Sequence, residues 1–256
     1  MARDMGLSTS DADSTYNLLP RSLQNSMAFF DQLSRIWRYD YGVPHKLKSG
    51  IIIGYHQYPI VSVLLRGIRR VHEFLPNEKF IEFSKRLENR SKHFDFLSEL
   101  DPVIRLDQGF QIIYEPSGYA RGNRRIDWLI IFDDGSQCLV DVKNRVKPII
   151  KLGQTALDQS GKNADLSKEV ESAKGIFKSS EIKFLPQKKN ILQGVWVRID
   201  VFVNQDELHE EFSSLDPKLV QFAVLTTFDS EAVILARNLD IKNWVKQRFN
   251  LRETKN

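Results

Sequence analysis

Asp127 and Asp141 lie in two apolar segments, and Lys143 follows the second aspartate by two residues, all within "IDWLIIFDDGSQCLVDVKNR" (126–145). Burial of an unpaired charge is costly, so such residues must be satisfied by one another or by a shared cation. Two adjacent carboxylates repel and push one pKa up. A divalent cation removes that conflict. Magnesium takes hard oxygen ligands, usually one or two carboxylates with waters and phosphate. A lysine beside the pair can orient a water or offset charge on a phosphate oxygen. This is the chemistry of metal-assisted phosphodiester hydrolysis. A salt bridge across a surface hairpin uses the same three residue types. The apolar flanks "WLIIF" and "CLV" favour the buried, functional placement.

Whether the three meet depends on strand register. Side chains alternate across a strand, so Asp141 and Lys143 share one face and Val140 and Val142 take the other. The turn "DDGS" allows two hairpins. A two-residue loop at Asp134-Gly135 sets Asp127 opposite Val142 and separates the carboxylates. A three-residue loop, Asp133-Asp134-Gly135, closes on Phe132 and Ser136 with Gly135 left-handed, and sets Asp127 opposite Asp141. A one-residue slip flips the whole face. The three-residue loop is favoured, because a shared cation then relieves both carboxylates.

The surrounding elements read as follows. Residues 1–17 are polar and expected to be disordered. Leu19, Leu23, Met27, Phe30, Leu33 and Trp37 predict a helix over about 19–38. The second half of 51–74 reads as a helix. Another runs from Asn77, a candidate cap after Pro76, to Leu100, where Asp101-Pro102 ends it. Strands are expected at 103–107, 110–115, 124–132 and 137–143. A basic loop and a polar helix near 163–178 come next. Further strands at 195–203, 219–228 and 232–236 and a helix over 240–249 complete the chain. The order describes a mixed α/β protein with an antiparallel meander at its centre.

The 256 residues are 41% hydrophobic, enough for a sizeable core in one large or two small domains. The net charge of +4 leans basic, which is compatible with a nucleic-acid partner without requiring one. One cysteine, Cys138, excludes a disulfide framework and a cysteine-based zinc site. No apolar run is long enough for a membrane span, and no signal peptide is visible. The expectation is a cytoplasmic protein without a membrane partner. The five histidines show no metal-ligand spacing. No phosphate-binding glycine loop is present.

Asp127 followed by Asp141-Val142-Lys143 across a hairpin resembles the PD-(D/E)XK nuclease core, whose element order is helix, three-stranded meander, helix, strand. Ile126 stands where the superfamily usually has proline. Leu100-Asp101-Pro102-Val103, Gln108, Arg124-Arg125 and the hairpin are further similar to TnsA-like endonuclease subunits of heteromeric transposases. That resemblance runs over 96–143. It implies a restriction-endonuclease-like core at 77–205, after a helical region at 18–76 and before a strand–helix extension at 206–256. It implies a Mg2+ (or Mn2+) ion held by Asp127, Asp141 and the Val142 carbonyl, with Lys143 positioning or activating water. It also implies a metal-binding glutamate on the preceding helix. Ser91 occupies that place, and Glu88, one turn earlier at the border of the apolar face, is the acid expected to replace it. The bland alternative for Glu88 is a solvated carboxylate paired with Lys92.

"KNRVKPIIK" (143–151) follows the metal strand and holds no acid. Arg145, Lys147 and Lys151, with Arg124 and Arg125 before the first aspartate, are expected to grip DNA phosphates without reading sequence. A solvated loop is the alternative. The expected function is a divalent-metal-dependent DNA endonuclease, as in the end-cleaving subunit of a transposase. Its partners are then DNA, a transposase subunit and a regulatory ATPase, and a homodimer is compatible with the chain. A restriction, repair or toxin nuclease uses the same core. A catalytically degenerate DNA-binding or assembly module is the alternative that Ser91 favours.

Overall fold

The computed structural model describes residues 17–19, 45–46, 52–53, 60–88, 93–107, 109–145, 174–186, 190–199, 204–226 and 231–253. Two compact units divide the chain, Met1–Ile104 and Arg105–Asn256.

In the first unit, a short antiparallel pair, β1 (His45–Lys46) and β2 (Ile52–Ile53), precedes three helices. These are α1 (Ile60–Phe74), α2 (Asn77–Ser84) and α3 (His93–Arg105), whose last residue opens the second unit. Their buried faces carry Ile68, Val71, Phe80, Phe83, Phe96 and Leu100. Phe83 and Phe96 pack with ring centroids 4.6 Å apart. Gly67 permits a close approach of α1 to α3, since a Cβ there would meet Leu100 at 2.7 Å.

The second unit is built on one mixed seven-stranded sheet, in the order β3 to β9. Its strands are β3 (Phe110–Tyr114), β4 (Trp128–Phe132), β5 (Gln137–Asn144), β6 (Ile191–Arg198), β7 (Phe222–Thr226), β8 (Glu231–Ala236) and a two-residue β9 (Arg252–Glu253). β3, β4 and β5 form an antiparallel meander; β6 and β7 then add in parallel, β8 runs antiparallel to β7, and β9 is parallel to β8. The central strands are apolar on both faces, as strands covered on two sides must be.

One face, with Leu129, Leu139, Val195, Val197, Ala223 and Leu225, packs against Phe177, Phe184, Leu208 and Phe212. Those residues come from the short α4 (Lys178–Glu181), its flanks, and α5 (Gln205–Ser214). The other face meets α6 (Leu239–Arg248) and the turn after it, through Phe132–Trp244 (centroids 5.3 Å) and Trp196–Phe249 (5.0 Å). Asn204 caps α5 by accepting from the Asp206 and Glu207 N–H groups, and Asn238 caps α6 through the Ile241 N–H.

Several expectations are corrected. The expected strand at 103–107 is the end of α3, which runs through Asp101-Pro102. A proline inside a helix loses a backbone bond and costs about 3 kcal/mol. Burial of Asp101, Val103 and Ile104 outweighs the local signal. The helix begun at Asn77 gives way to a 3-10 turn at Lys85–Glu88, and its cap position is Pro76 rather than Asn77. β4 begins at Trp128, not 124, and β6 spans Ile191–Arg198 rather than 195–203. β6 starts early because its parallel register with β5 begins at Gln137↔Ile191. α5 was not expected, and the strands after residue 206 extend the same sheet. The segment 1–16, nearly all of the helix at 19–38 and most of the polar helix near 163–178 lie outside the described residues; of the latter, 174–177 form a turn that leads into α4.

Candidate functional site: an aspartate pair with two lysines

The hairpin between β4 and β5 has the three-residue loop. The Phe132 N–H donates to the Ser136 carbonyl at 2.9 Å and the Gly135 N–H to the Phe132 carbonyl at 2.8 Å. Gly135 has φ +80°, a conformation that residues bearing a Cβ rarely adopt. The last β4–β5 pair is Trp128↔Val140, so Asp127 stands one register step further, opposite Asp141.

Asp127 joins three strands. Its carbonyl accepts the Glu115 N–H at 2.9 Å, next to β3. Its carboxylate Oδ2 accepts the Val142 N–H of β5 at 2.6 Å. In an antiparallel ladder that N–H bonds to a backbone carbonyl of the facing strand. Here the side chain takes the place of the backbone, which is why β4 starts only at Trp128.

Asp141 is fully buried. It lies on the same sheet face as Leu139, beneath α4. Ser180 donates its hydroxyl to Oδ2 at 2.5 Å, and Lys143 Nζ lies 2.9 Å from the same oxygen. Lys183 Nζ lies 2.6 Å from Oδ1. The cluster therefore balances two carboxylates with two ammonium groups. Burial holds the Lys143 ammonium below its ordinary range, the nearby Asp141 pulls it back up, and Lys183 pushes it down further. Lys183 is also opposed by burial, but the charges of Asp141 and Asp127 win and raise it.

Backbone bonds seat Lys183. The Arg121 N–H donates to the Lys183 carbonyl at 2.9 Å, and Ala120 bridges Phe184. The loop before Asp127 is thus stitched to the segment after α4.

Ser180 and Lys183 escaped sequence reasoning. A signal was present in "IFKSSEIKF" (176–184). Phe177, Ser180 and Phe184 recur at helical spacing, so a serine interrupts an apolar face and must have a buried partner. Lys183 follows it by three residues.

Of the other expected site residues, Val142 directs its N–H to Asp127, and its carbonyl points to the same strand edge. Arg125 pairs with Glu115, and Arg124 donates to the Ile182 carbonyl. Both residues remain exposed. Arg121, Gly122, Asn123, Arg124 and Ile182 line an open depression of about 650 Å³. Arg145 is exposed just beyond β5. Lys147, Lys151, Gln108 and Ser91 lie outside the described residues. Glu88 closes the 3-10 turn in the first unit, whereas Asp127 and Asp141 belong to the second.

The donor set suits a hard divalent cation. Two carboxylates and a strand carbonyl are oxygen ligands, and magnesium often takes only two carboxylates. Among the described residues, no group of three or more acidic, histidine or cysteine side chains is placed to hold a metal ion, so these two carboxylates would need the strand carbonyl or waters beside them. No helix among them is long and apolar enough to cross a membrane.

Comparison of the chain with protein-family models, with curated proteins and with solved structures found no match.

Proposed function

We propose that residues 77–205 form a PD-(D/E)XK-type core and that the protein is a cytoplasmic, divalent-metal-dependent DNA endonuclease. The observation that carries this reading is the register that sets Asp127 opposite Asp141, with Lys143 on the second carboxylate. The order helix, antiparallel meander, helix, parallel strand also supports it.

In this reading Asp127, Asp141 and the Val142 carbonyl hold Mg2+ or Mn2+. The ion supplies Lewis-acid polarisation and a water of lowered pKa. Lys143 lies two residues beyond Asp141 on the same face and orients the attacking water or steadies charge on the phosphate. Burial holds its ammonium below the ordinary lysine range, with Asp141 drawing it back up. Arg124, Arg125 and Arg145 position the phosphate backbone. Glu88 as a further ligand rests on the sequence resemblance alone, as do a transposase subunit and a regulatory ATPase as partners.

One observation favours a second reading. The carboxylates are already neutralised by two ammonium groups, which suits a nuclease-fold DNA-binding or assembly module without catalysis.

The test is supercoiled plasmid incubated with Mn2+, Mg2+ or chelator, beside Asp141→Ala and Lys143→Ala. Metal-dependent nicking that both variants lose is the expected result. No nicking, combined with no calorimetric binding of Mn2+, overturns the endonuclease reading and leaves the binding module.

A further inference from the structure

Asp141 exposes no surface, and both its oxygens are occupied. Oδ2 takes Ser180 and Lys143; Oδ1 takes Lys183. A cation that reaches Asp141 must therefore remove a partner. Ser180 is fully buried, and Lys143, with its side chain 20% exposed, has its backbone held in β5. Lys183 lies after α4 rather than within a strand, and its side chain is 23% exposed. Its ammonium sits on a flexible four-carbon stem. Of the two ammonium groups it is the one not carried by a sheet strand and the one on which both aspartates act.

Electrostatics points the same way. The charges of both Asp127 and Asp141 act on Lys183, so its ammonium lies in the field a metal would use. A divalent ion placed there meets two like charges at close range, and removing either lowers that repulsion.

We propose that Lys183 is a resident counter-ion of the aspartate pair, which a divalent cation must displace from Asp141 Oδ1 in order to bind. This inference rests on the metal-binding part of the reading above. Lys183 sets the metal affinity of the site: the site stays closed and neutral until the cation concentration is high enough to expel the ammonium. Lys183 is a positioning residue in this scheme.

The experiment is calorimetric titration of Mn2+ into the full-length wild-type chain, Lys183→Met, Lys183→Gln and Lys183→Arg, each checked for folding by thermal melting. Gln keeps a donor to Asp141 without the charge and covers the case in which the Met variant does not fold. The neutral variants are expected to bind Mn2+ about tenfold tighter or more, within the usual range for coupling between two bound groups. Arg, which keeps the charge, is expected to bind like the wild type. Wild-type binding with equal or weaker binding in folded neutral variants overturns the role of Lys183 and leaves the metal site standing. No Mn2+ binding by any folded chain overturns both.

Discussion

The Asp127 carboxylate accepts the Val142 N–H at 2.6 Å, so one of the two site aspartates also completes the backbone ladder of β5. The residue has a structural task and a chemical one, and substitutions separate them. Asp127→Asn keeps an acceptor for the N–H, whereas Asp127→Ala leaves it without that partner. Loss of one buried hydrogen-bond partner costs about 1–3 kcal/mol. Urea denaturation is expected to show that loss in Asp127→Ala and a smaller one in Asp127→Asn. Mn2+ binding is expected to fall in both. Equal stability of all three chains would show that the bond contributes nothing.

The two lysines are expected to titrate in opposite directions from the ordinary value of 10.5. Burial, reinforced by Lys183 and only partly offset by Asp141, puts Lys143 below it. Lys183 lies above it because the two aspartates outweigh burial. Between the lowered Lys143 value and 10.5 the unfolded chain binds more protons, so Lys143 makes stability rise with pH. Lys183 contributes stability that is present below 10.5 and lost as pH rises through its raised folded value. NMR titration of the lysine side chains checks both directions. In Lys183→Met, the Lys143 resonance is expected to titrate at higher pH, because a neighbouring positive charge is gone.

DNA affinity is expected to depend on salt through the exposed arginines near the site. Each phosphate contact contributes about 0.9 to the slope of log affinity against log salt for duplex DNA. Arg124→Ala and Arg145→Ala are each expected to lower that slope by about one contact, on any duplex sequence. Arg248→Ala serves as the control. That arginine pairs with Asp134 in the hairpin turn, at the opposite end of β4 and β5 from the aspartates. Fluorescence anisotropy at several salt concentrations measures all three.

The hairpin was legible because its signals are local. Gly135 marks the turn, and the need to pair two carboxylates selects one of its two registers, which the structure has. Both ends of β3 were equally plain within a residue. The end of α3 was not. Asp-Pro is a local stop signal, and what overrides it is burial of Asp101 and its neighbours, which no short window reveals. Lys183 was missed for a related reason. Its partner lies 42 residues earlier in the chain, and only the parallel pairing of β6 with β5 brings the intervening segment back across the sheet. The alternation that placed β6 at 195–203 misled because Gln193 and Gly194 look unlike strand residues. Gly194 is there because a Cβ would run into the Phe222 ring.

The backbone stitch between the loop at 119–121 and the segment at 183–185 has a thermodynamic consequence. Ordering a loop costs about 1–2 kcal/mol of backbone entropy per residue. For these residues that loss is incurred when the chain folds, not when a ligand arrives. On the proposed reading, a small ion entering the site would meet walls that are set in advance at these residues, and among the described residues the motion asked of the protein is the swing of one lysine side chain. Binding to such a site should carry little entropic penalty from the protein, and its heat should report mainly the exchange of one ion for another.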